Sequence, residues 1–304
     1  MFSKLQSTFD QYYFGPPQVV QNMIVALLSR GHVLLEGVPG VAKTTLARTV
    51  AALLGLSIRR IQFTPDLMPA DITGMRLPGA DFSSQVFLPG PIFTQVLVAD
   101  EINRAPAKTQ AALLEALEEN RVTIDGTTYS LYEPFFVIAT QNPQESAGTF
   151  QLPDATVDRF SIRIRLDYPD RESELRMLVA HHVPPASPAP LLSAAQILEA
   201  QTVVERVQVS EPLMRYALNL VRSTRRHPQL ETGASPRAGL ALLRTSKALA
   251  VLRGRNYVVP EDVRELALPV LGHRLRVSYE AENAGITAED VITRIVSELE
   301  IIRS

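Results

Sequence analysis

The stretch LLEGVPGVAKTTLA, residues 34–47, combines residue types that could hold phosphate groups. Glycines and a proline separate an apolar run from Lys43 and Thr44, the order required of a Walker A loop between a strand and a helix. In such a loop, backbone N–H groups and the helix N-terminus surround the phosphates. The lysine reaches the β- and γ-phosphates and the threonine hydroxyl binds Mg²⁺. Ala42 stands where the general pattern has its second glycine, so a glycine-rich turn with a solvated lysine is the alternative.

The sequence therefore predicts a site for ATP and Mg²⁺. The residues expected to surround the nucleotide are Gly37, Val38, Pro39, Gly40, Val41, Ala42, Lys43, Thr44 and Thr45.

A second chemical feature is the acidic pair that ends QVLVADE, residues 95–101. At the carboxyl edge of a parallel sheet, these two carboxylates would lie beside the phosphate loop. Asp100 suits the Walker B role of holding Mg²⁺ together with Thr44, and Glu101 suits a general base that polarises the attacking water. An acidic pair after a strand is often only a solvated strand end, and the phosphate loop upstream favours the catalytic interpretation.

Asn142 ends a third apolar run, VIATQN. A neutral amide at the sheet edge could orient a water molecule without adding charge. Alone, an asparagine before a proline would be interpreted as a turn residue. Its place after a predicted strand favours the catalytic interpretation.

These residues need a sheet to position them, and the first half of the chain has the pattern of one. Short β-rich apolar runs occur at 32–37, 57–63, 95–100, 135–140 and 160–166, with helix-like stretches between them. This alternation predicts an α/β fold with a parallel five-stranded sheet covered on both faces. Residues 75–87 and 121–132 each have two short strands around a glycine-containing turn, so we predict two β-hairpin inserts.

The second half has a different character. The segment VPPASPAP, residues 183–190, contains proline too often for a helix to continue. Beyond it strand patterns nearly vanish, and helix starts are indicated at Ser235, Pro260 and Thr287. We predict an α/β core over residues 1–182, a proline-rich linker over 183–190 and a small all-α lid over 191–304.

Composition excludes several classes of protein. The 304 residues include no cysteine, which rules out disulfides and thiolate metal sites and fits a reducing compartment. The five histidines show no metal-ligand spacing, and no apolar run is long enough for a transmembrane segment. The N-terminus lacks the features of a signal peptide, so a cytoplasmic location is expected. A net charge of −2 and basic runs of at most two residues do not favour nucleic acid as a partner.

Five motifs in order resemble the MoxR family of AAA+ ATPases. They are the phosphate loop, DEINRAP (100–106), ATQNP (139–143), DRF (158–160) and GASPRAGL (233–240). The resemblance runs from about residue 15 to about residue 276, and many members of the family share the G-x-A-K-T form of the loop. The segment Gly-Pro-Pro at 15–17, where relatives typically have Gly-Gln, departs from the pattern.

The resemblance implies roles for further residues. Asn142 matches sensor 1, Arg159 the arginine finger and Arg237 sensor 2, with Arg104 as another candidate at a subunit interface. Arg159 could instead be a strand-end arginine paired with Asp158. The hairpins match inserts that face the central pore in related rings. Their aromatic residues could contact a client protein or pack on the core, and these residues are Phe82, Phe87 and Tyr129.

The family further implies an AAA+ P-loop core, a homo-oligomeric ring, expected to be a hexamer, and ATP-driven remodelling of a protein partner. Such partners typically carry a von Willebrand factor A domain, and the remodelling often serves to mature or insert metal centres. The principal alternative is a magnesium-chelatase-like motor subunit. A nucleic-acid motor is disfavoured by the charge, and small-molecule phosphoryl transfer by the absence of an acceptor-substrate domain.

Overall fold

The computed structural model describes residues 2–38, 40–41, 43–78, 85–142, 148–182 and 188–299. Its strands are β1 (Val33–Gly37), β2 (Ile58–Gln62), β3 (Gly74–Pro78), β4 (Gln85–Pro89), β5 (Val96–Asp100), β6 (Arg121–Ile124), β7 (Thr127–Ser130), β8 (Phe136–Gln141), β9 (Ile162–Leu166), β10 (Leu230–Thr232) and β11 (Arg276–Val277). Its α-helices are α1 (Phe2–Phe9), α2 (Pro17–Leu28), α3 (Lys43–Leu53), α4 (Pro69–Thr73), α5 (Ala107–Ala111), α6 (Leu114–Glu119), α7 (Asp154–Val157), α8 (Arg171–His182), α9 (Ala194–Glu205), α10 (Glu211–Thr224), α11 (Pro236–Leu252), α12 (Pro260–Leu271), α13 (Tyr279–Asn283) and α14 (Ala288–Glu298).

A parallel sheet of five strands in the order β2-β5-β8-β1-β9 forms the centre of the fold. All residues of β1 and β5 are buried, as expected for strands covered on both faces. Successive side chains alternate between the faces, so Val33 and Leu35 join one hydrophobic core and Leu34 joins the other. The predicted sheet is confirmed, and its carboxyl edge gathers the ends of β1, β5 and β8.

The two hairpin inserts are confirmed as the antiparallel pairs β3–β4 and β6–β7. The aromatic residues of the inserts that can be placed pack against each other, with the rings of Phe87 and Tyr129 stacked at 4.2 Å between centroids. Arg76 donates to the Tyr129 hydroxyl at 2.9 Å and joins the two hairpins. Phe82 lies outside the described residues. Packing on the core, the alternative kept open for these aromatic residues, therefore describes Phe87 and Tyr129.

The lid region is mostly helical, and three of its helices, α11, α12 and α14, begin where the sequence indicated. The hydroxyls of Ser235 and Thr287 accept from backbone N–H groups three residues later, which caps α11 and α14. The lid also contains the short antiparallel sheet β10–β11. Strands of two and three residues carry no periodicity, so the all-α prediction did not include them.

The lid packs on the core through α2 and holds the outer strand β9. Gln201 of α9 donates to the Leu27 carbonyl at 2.8 Å. At the start of β9, Arg274 donates to Asp158 Oδ1 and to the Phe160 carbonyl, each at 2.7 Å. These contacts fix the residues just before β9, including Arg159, relative to the lid.

The predicted linker lies partly outside the described residues, which exclude 183–187. Leu191 beyond it donates its N–H to the Leu53 carbonyl at 2.8 Å, tying the start of the lid region to α3. Within the described part of the chain, no helix is both long and apolar enough to span a bilayer.

His32 precedes β1 and is buried, with 2% of its surface exposed. The Val137 N–H donates to His32 Nδ1 at 3.1 Å, so the ring proton lies on Nε2 and faces the Leu117 carbonyl at 3.1 Å. Burial lowers the pKa of His32 to about 4, against a smaller opposing effect of the Leu117 carbonyl. Protonation would place a second N–H against the Val137 donor.

We expect this histidine to make stability depend on pH. Between pH 6.5 and about 4, His32 binds a proton in the unfolded chain but not in the folded protein. The contribution of His32 to the free energy of unfolding is therefore fully present above pH 6.5 and falls as the pH drops. The loss is about 1.4 kcal/mol per pH unit, or roughly 3 kcal/mol in all. Urea unfolding at several pH values should give a shallower dependence for His32→Asn than for the wild type. The exposed-site control His182→Asn should keep the wild-type dependence, and an unchanged slope in His32→Asn would contradict the assignment.

Candidate functional site

The phosphate loop leaves the carboxyl end of β1 and enters α3 at Lys43. Gly37 lies so close to β9 that a Cβ there would meet the Leu166 carbonyl oxygen at 2.6 Å. Gly40 has a φ of +88°, a conformation that favours glycine. Both glycines are therefore required by the path of the loop. Pro39 and Ala42 lie outside the described residues, and Val38, Val41 and Thr45 complete the loop and the first turn of α3.

Lys43 folds back over the loop. Its Nζ donates to the Gly37 carbonyl at 2.5 Å and lies 3.4 Å from the Val38 carbonyl. Burial lowers the pKa of Lys43, while the charges of Asp100 and Glu101 oppose that shift. Among the described residues, its hydrogen-bond partners are neutral carbonyls, which phosphate oxygens could replace with a gain in charge pairing.

Asp100 ends β5 and receives hydrogen bonds from three other elements. Thr44 of α3 donates to Oδ2 at 3.2 Å, and Thr140 of β8 donates to Oδ1 at 2.5 Å. Arg60 of β2 donates to Oδ2 through Nη2 at 2.6 Å and Nε at 2.9 Å.

These contacts keep Asp100 ionised. Burial would raise the pKa of its carboxyl, but the hydrogen bonds from Thr140, Arg60 and Thr44 outweigh it, and the pKa is lowered overall. A carboxylate and a hydroxyl that already touch are oxygen ligands of the kind Mg²⁺ prefers. The described residues contain no cluster of three acidic or histidine side chains that could hold a metal alone. The pair therefore fits a cation whose remaining ligands are water and phosphate.

Glu101 is held in an unusual conformation at the end of β5. Its backbone is left-handed, with φ 55° and ψ 49°, and its N–H donates to the Thr140 hydroxyl at 2.9 Å. Its carboxylate accepts from Gln62 at 2.7 Å and pairs with Arg104 at 3.0 Å. A strained backbone that is fixed by its neighbours is characteristic of functional sites.

Asn142 follows β8 directly and is buried, with 8% of its surface exposed. Because β8 lies between β5 and β1, this places Asn142 at the same edge as the acidic pair and the loop. It lines a cavity of about 800 Å³ beside Glu36 and Gln141. The structure therefore gathers Lys43, Thr44, Asp100, Glu101 and Asn142 at one edge, as the sequence predicted.

Arg159 and Arg237 lie elsewhere. Both guanidinium groups contact one carboxylate, that of Glu118 in α6. They line a cavity of about 270 Å³ together with Gly31 and His32, which precede β1 at the amino edge of the sheet. We call this cavity the arginine cavity. It lies at the edge of the sheet opposite the chain's own phosphate loop.

The alternative pairing of Arg159 with Asp158 is not the one found. Asp158 accepts instead from Arg274 and, at 3.0 Å, from Ser235. Arg104, the other interface candidate, belongs to the carboxyl edge through its contact with Glu101.

Sequence reasoning missed three side chains that hold the acidic pair, Arg60, Gln62 and Thr140. Arg60 and Gln62 lie two positions apart on β2, so they share a face, and β2 adjoins β5. Thr140 was inside a quoted motif but was assigned no role. Knowledge of the strand order would have revealed all three.

Comparisons with known proteins agree with this geometry. Residues 32–162 match the family model described as ATPase family associated with various cellular activities (AAA), and residues 222–295 match an AAA lid domain. The chain is 42% identical over 303 residues to the Bacillus subtilis protein YeaC, covering 99% of this chain and 95% of YeaC. It is 43% identical over 294 residues to Chaperone MoxR1 of Mycobacterium tuberculosis, covering 93% of this chain and 77% of MoxR1. A crystal structure of a candidate ATPase from Cytophaga hutchinsonii superposes with a TM-score of 0.89 at 38% identity, covering 99% of this chain and 96% of that one.

Proposed function

The chain belongs to the MoxR family of AAA ATPases, and we propose that it works as a homo-oligomeric ring, expected to be a hexamer, that remodels or matures a protein partner in the cytoplasm. The observation that carries this proposal is the convergence of Lys43, Thr44, Asp100, Glu101 and Asn142 at one edge of the sheet. A lysine, an oxygen pair for Mg²⁺ and a separate carboxylate are what nucleotide hydrolysis requires.

The nucleotide would lie along the loop from Gly37 to Thr45, with its phosphates facing the backbone N–H groups and the start of α3. Thr44 and Asp100 would supply the protein oxygens for Mg²⁺. A Mg²⁺ ion held by these two oxygens would supply positive charge beside the phosphates. The ammonium group of Lys43 would leave the two loop carbonyls and pair with phosphate oxygens.

Glu101 would act as the general base. Its carboxylate lies one residue beyond the proposed metal ligand, and Gln62 and Arg104 fix its direction. It would accept a proton from the attacking water while Asn142 orients that water. Because Thr140 bonds both Asp100 and the Glu101 N–H, the ligand and the base keep a fixed relation.

We expect Glu101→Gln to separate nucleotide binding from turnover. The amide keeps the size of the side chain but accepts no proton, so MgATP affinity should persist while hydrolysis falls by roughly two to four orders of magnitude. Lys43→Ala should instead lose binding, and Lys108→Ala, an exposed lysine on α5, should change neither. Titration with a fluorescent ATP analogue and phosphate-release kinetics measure both effects. Wild-type turnover in Glu101→Gln would refute the assignment of the base.

The active site is proposed to be shared between subunits. Arg159 and Arg237 lie at the amino edge of the sheet, so they cannot serve the phosphate loop at the carboxyl edge of the same chain. A head-to-tail ring would bring them to the phosphates of a neighbour, where they would stabilise transition-state charge. Glu118 would hold the two arginines until a neighbour's phosphates compete for them.

A mixing experiment tests this sharing. Arg159→Ala and Lys43→Ala should each be inactive, because a finger is worth about 10³–10⁵ in rate and the lysine is needed for binding. A mixture should recover part of the activity, since some interfaces then join an intact loop to an intact arginine. Specific activity of the wild type should also rise with protein concentration as rings form. If labelled subunits exchange and no activity returns, Arg159 has only a structural role.

The partner is proposed to be a protein with a von Willebrand factor A domain, and the remodelling is proposed to serve the assembly of metal centres. The relative MoxR1 is named a chaperone, which supports protein remodelling. The first hairpin offers a contact surface. Its outward face carries two cross-strand apolar pairs, Met75 with Leu88 and Leu77 with Val86, and these four side chains are 38–58% exposed. An extended apolar segment of a client could bind there.

Substitutions on the two faces of this hairpin test the proposal. Leu77→Ser with Val86→Ser should leave basal ATPase activity unchanged and abolish stimulation by an added partner, because the pair faces solvent and lies away from the acidic pair. The control Gln85→Ser, on the same hairpin but on its other face, should keep stimulation. A coupled phosphate-release assay with and without a purified von Willebrand partner measures both. Full stimulation of the double variant would exclude the hairpin as the contact.

A further inference from the structure

Helix α8 presents three large apolar side chains to solvent. Leu175, Leu178 and Val179 are 60%, 66% and 59% exposed. Their i, i+3, i+4 spacing places them on one face, which we call the α8 stripe. Among the described side chains of α8, only that of Ser173 is buried. The helix therefore does not use the stripe to pack on its own chain, and a contiguous exposed apolar patch of this kind marks an interaction surface.

Acidic side chains border the α8 stripe. Glu172 and Glu174 lie on either side of it by helical spacing, and both are exposed. Neither carboxylate forms an ion pair with a described residue. Arg171 adds a positive charge at the N-terminal end of the stripe. Arg176 lies on the same side as Glu172, but its guanidinium is placed over the Phe14 ring, 5.4 Å from the ring centroid. The surface is thus an apolar strip bordered by two carboxylates.

A complementary surface lies on the lid. A groove of about 480 Å³ runs between α2, α9, α10 and α11. Its apolar wall consists of Leu28, Val204, Val209, Met214, Leu240 and Leu243. We call it the lid groove. Met214 and Leu240 are 46% and 58% exposed, so the wall is accessible to a partner.

The rim of the lid groove is basic. Arg30, Arg244 and Lys247 carry positive charge there, against one carboxylate, Glu205. Arg30 pairs with Glu205 at 3.0 Å, while Lys247 donates only to a backbone carbonyl. Arg244 has no ion pair among the described residues. Two rim cations are therefore available to the unpaired carboxylates that flank the α8 stripe.

The two surfaces lie at opposite edges of the sheet, as a head-to-tail contact requires. The lid groove adjoins the arginine cavity, because Arg30, Leu240 and Arg244 line both. Helix α8 adjoins the nucleotide side, since it follows β9, whose last residue Leu166 opposes Gly37. A subunit that offers its arginine cavity to a neighbour's phosphates therefore brings its lid groove toward that neighbour's α8.

We propose that the lid groove of one subunit receives the α8 stripe of a second copy of this chain. Apolar burial holds this contact, and Glu172 and Glu174 facing Arg244 and Lys247 set its register. The proposal rests on the shared active site proposed above and adds the surface that aligns the arginine cavity with the next nucleotide. Since α8 follows directly from the nucleotide-binding sheet, the contact also ties the lid of one subunit to the nucleotide site of another.

Cysteine cross-linking tests this contact directly, because the chain contains no cysteine of its own. Leu178→Cys and Leu240→Cys are placed in separate chains that differ in mass, then mixed with MgATP and oxidised. A disulfide requires Cα atoms within about 7 Å, so a mixed dimer should form in high yield. With Val203→Cys in place of Leu240→Cys the yield should fall at least about tenfold, because Val203 is exposed on α9 outside the groove.

A second measurement uses assembly itself. Leu178→Ala should raise the protein concentration at which half the chains are in rings by about tenfold, the effect of losing one well-buried apolar anchor. Leu218→Ala, which truncates a leucine of α10 that is 52% exposed and lies outside the groove, should not change it. Analytical ultracentrifugation across a dilution series measures both.

The outcomes separate the two proposals. Rings that form and recover activity in the mixing experiment, but give no more cross-link than the Val203→Cys control, overturn the α8–groove contact and leave the shared site intact. Chains that form no ring at any concentration overturn both. A selective cross-link together with weakened assembly of Leu178→Ala supports the contact.

Discussion

The carboxyl edge of the sheet depends on one buried carboxylate, that of Asp100. Its two oxygens accept from Thr44, Arg60 and Thr140, so a helix and two strands are tied to the end of a third strand. An ionised carboxylate in the interior is costly unless it is fully hydrogen-bonded. Here the hydrogen bonds exceed that cost, because the pKa of the group is lowered despite its burial. The same Thr140 fixes the backbone of Glu101, so the positions of the proposed metal ligand and the proposed base follow from a single network.

The opposite edge is organised by a second carboxylate, that of Glu118. Arg159 and Arg237 come from distant parts of the chain and converge on it. The lid supplies one of them and also fixes the other, since Arg274 binds Asp158 and the Phe160 carbonyl on either side of Arg159. The lid is therefore a structural part of the arginine cavity. Within one subunit, Arg159 and Arg237 therefore pair with Glu118 at one edge of the sheet, and the proposed nucleotide site lies at the other edge.

Much of this arrangement could be predicted from the sequence because it is local. The five strands, the loop between β1 and α3 and the hairpins follow from apolar periodicity and glycine placement, and the order of the motifs supplied the resemblance to the family. The roles assigned to the site residues all stay predictions, those of the phosphate loop, Asp100 and Glu101 as much as those of Asn142, Arg159 and Arg237, and so do the exact domain boundaries. Contacts between distant residues could not be predicted. The pairing of Arg237 with Glu118 spans 119 positions, and that of Arg60 with Asp100 spans 40. Neither pairing leaves a periodic signal in the sequence, and predicting either one requires the order of the strands. The β10–β11 sheet was missed because its strands are too short.

The left-handed backbone of Glu101 has a consequence for how this sequence can change. A residue with a Cβ pays about 1–2 kcal/mol to adopt that conformation, whereas glycine adopts it freely. Of the other non-glycine residues with positive φ among those described, Asn120 and Asp125 belong to types that tolerate it well. Glycine would relieve the backbone strain at position 101, but it would also remove the carboxylate. Selection for thermal stability alone would therefore favour glycine at this position, and such a variant would lack the group proposed as the base.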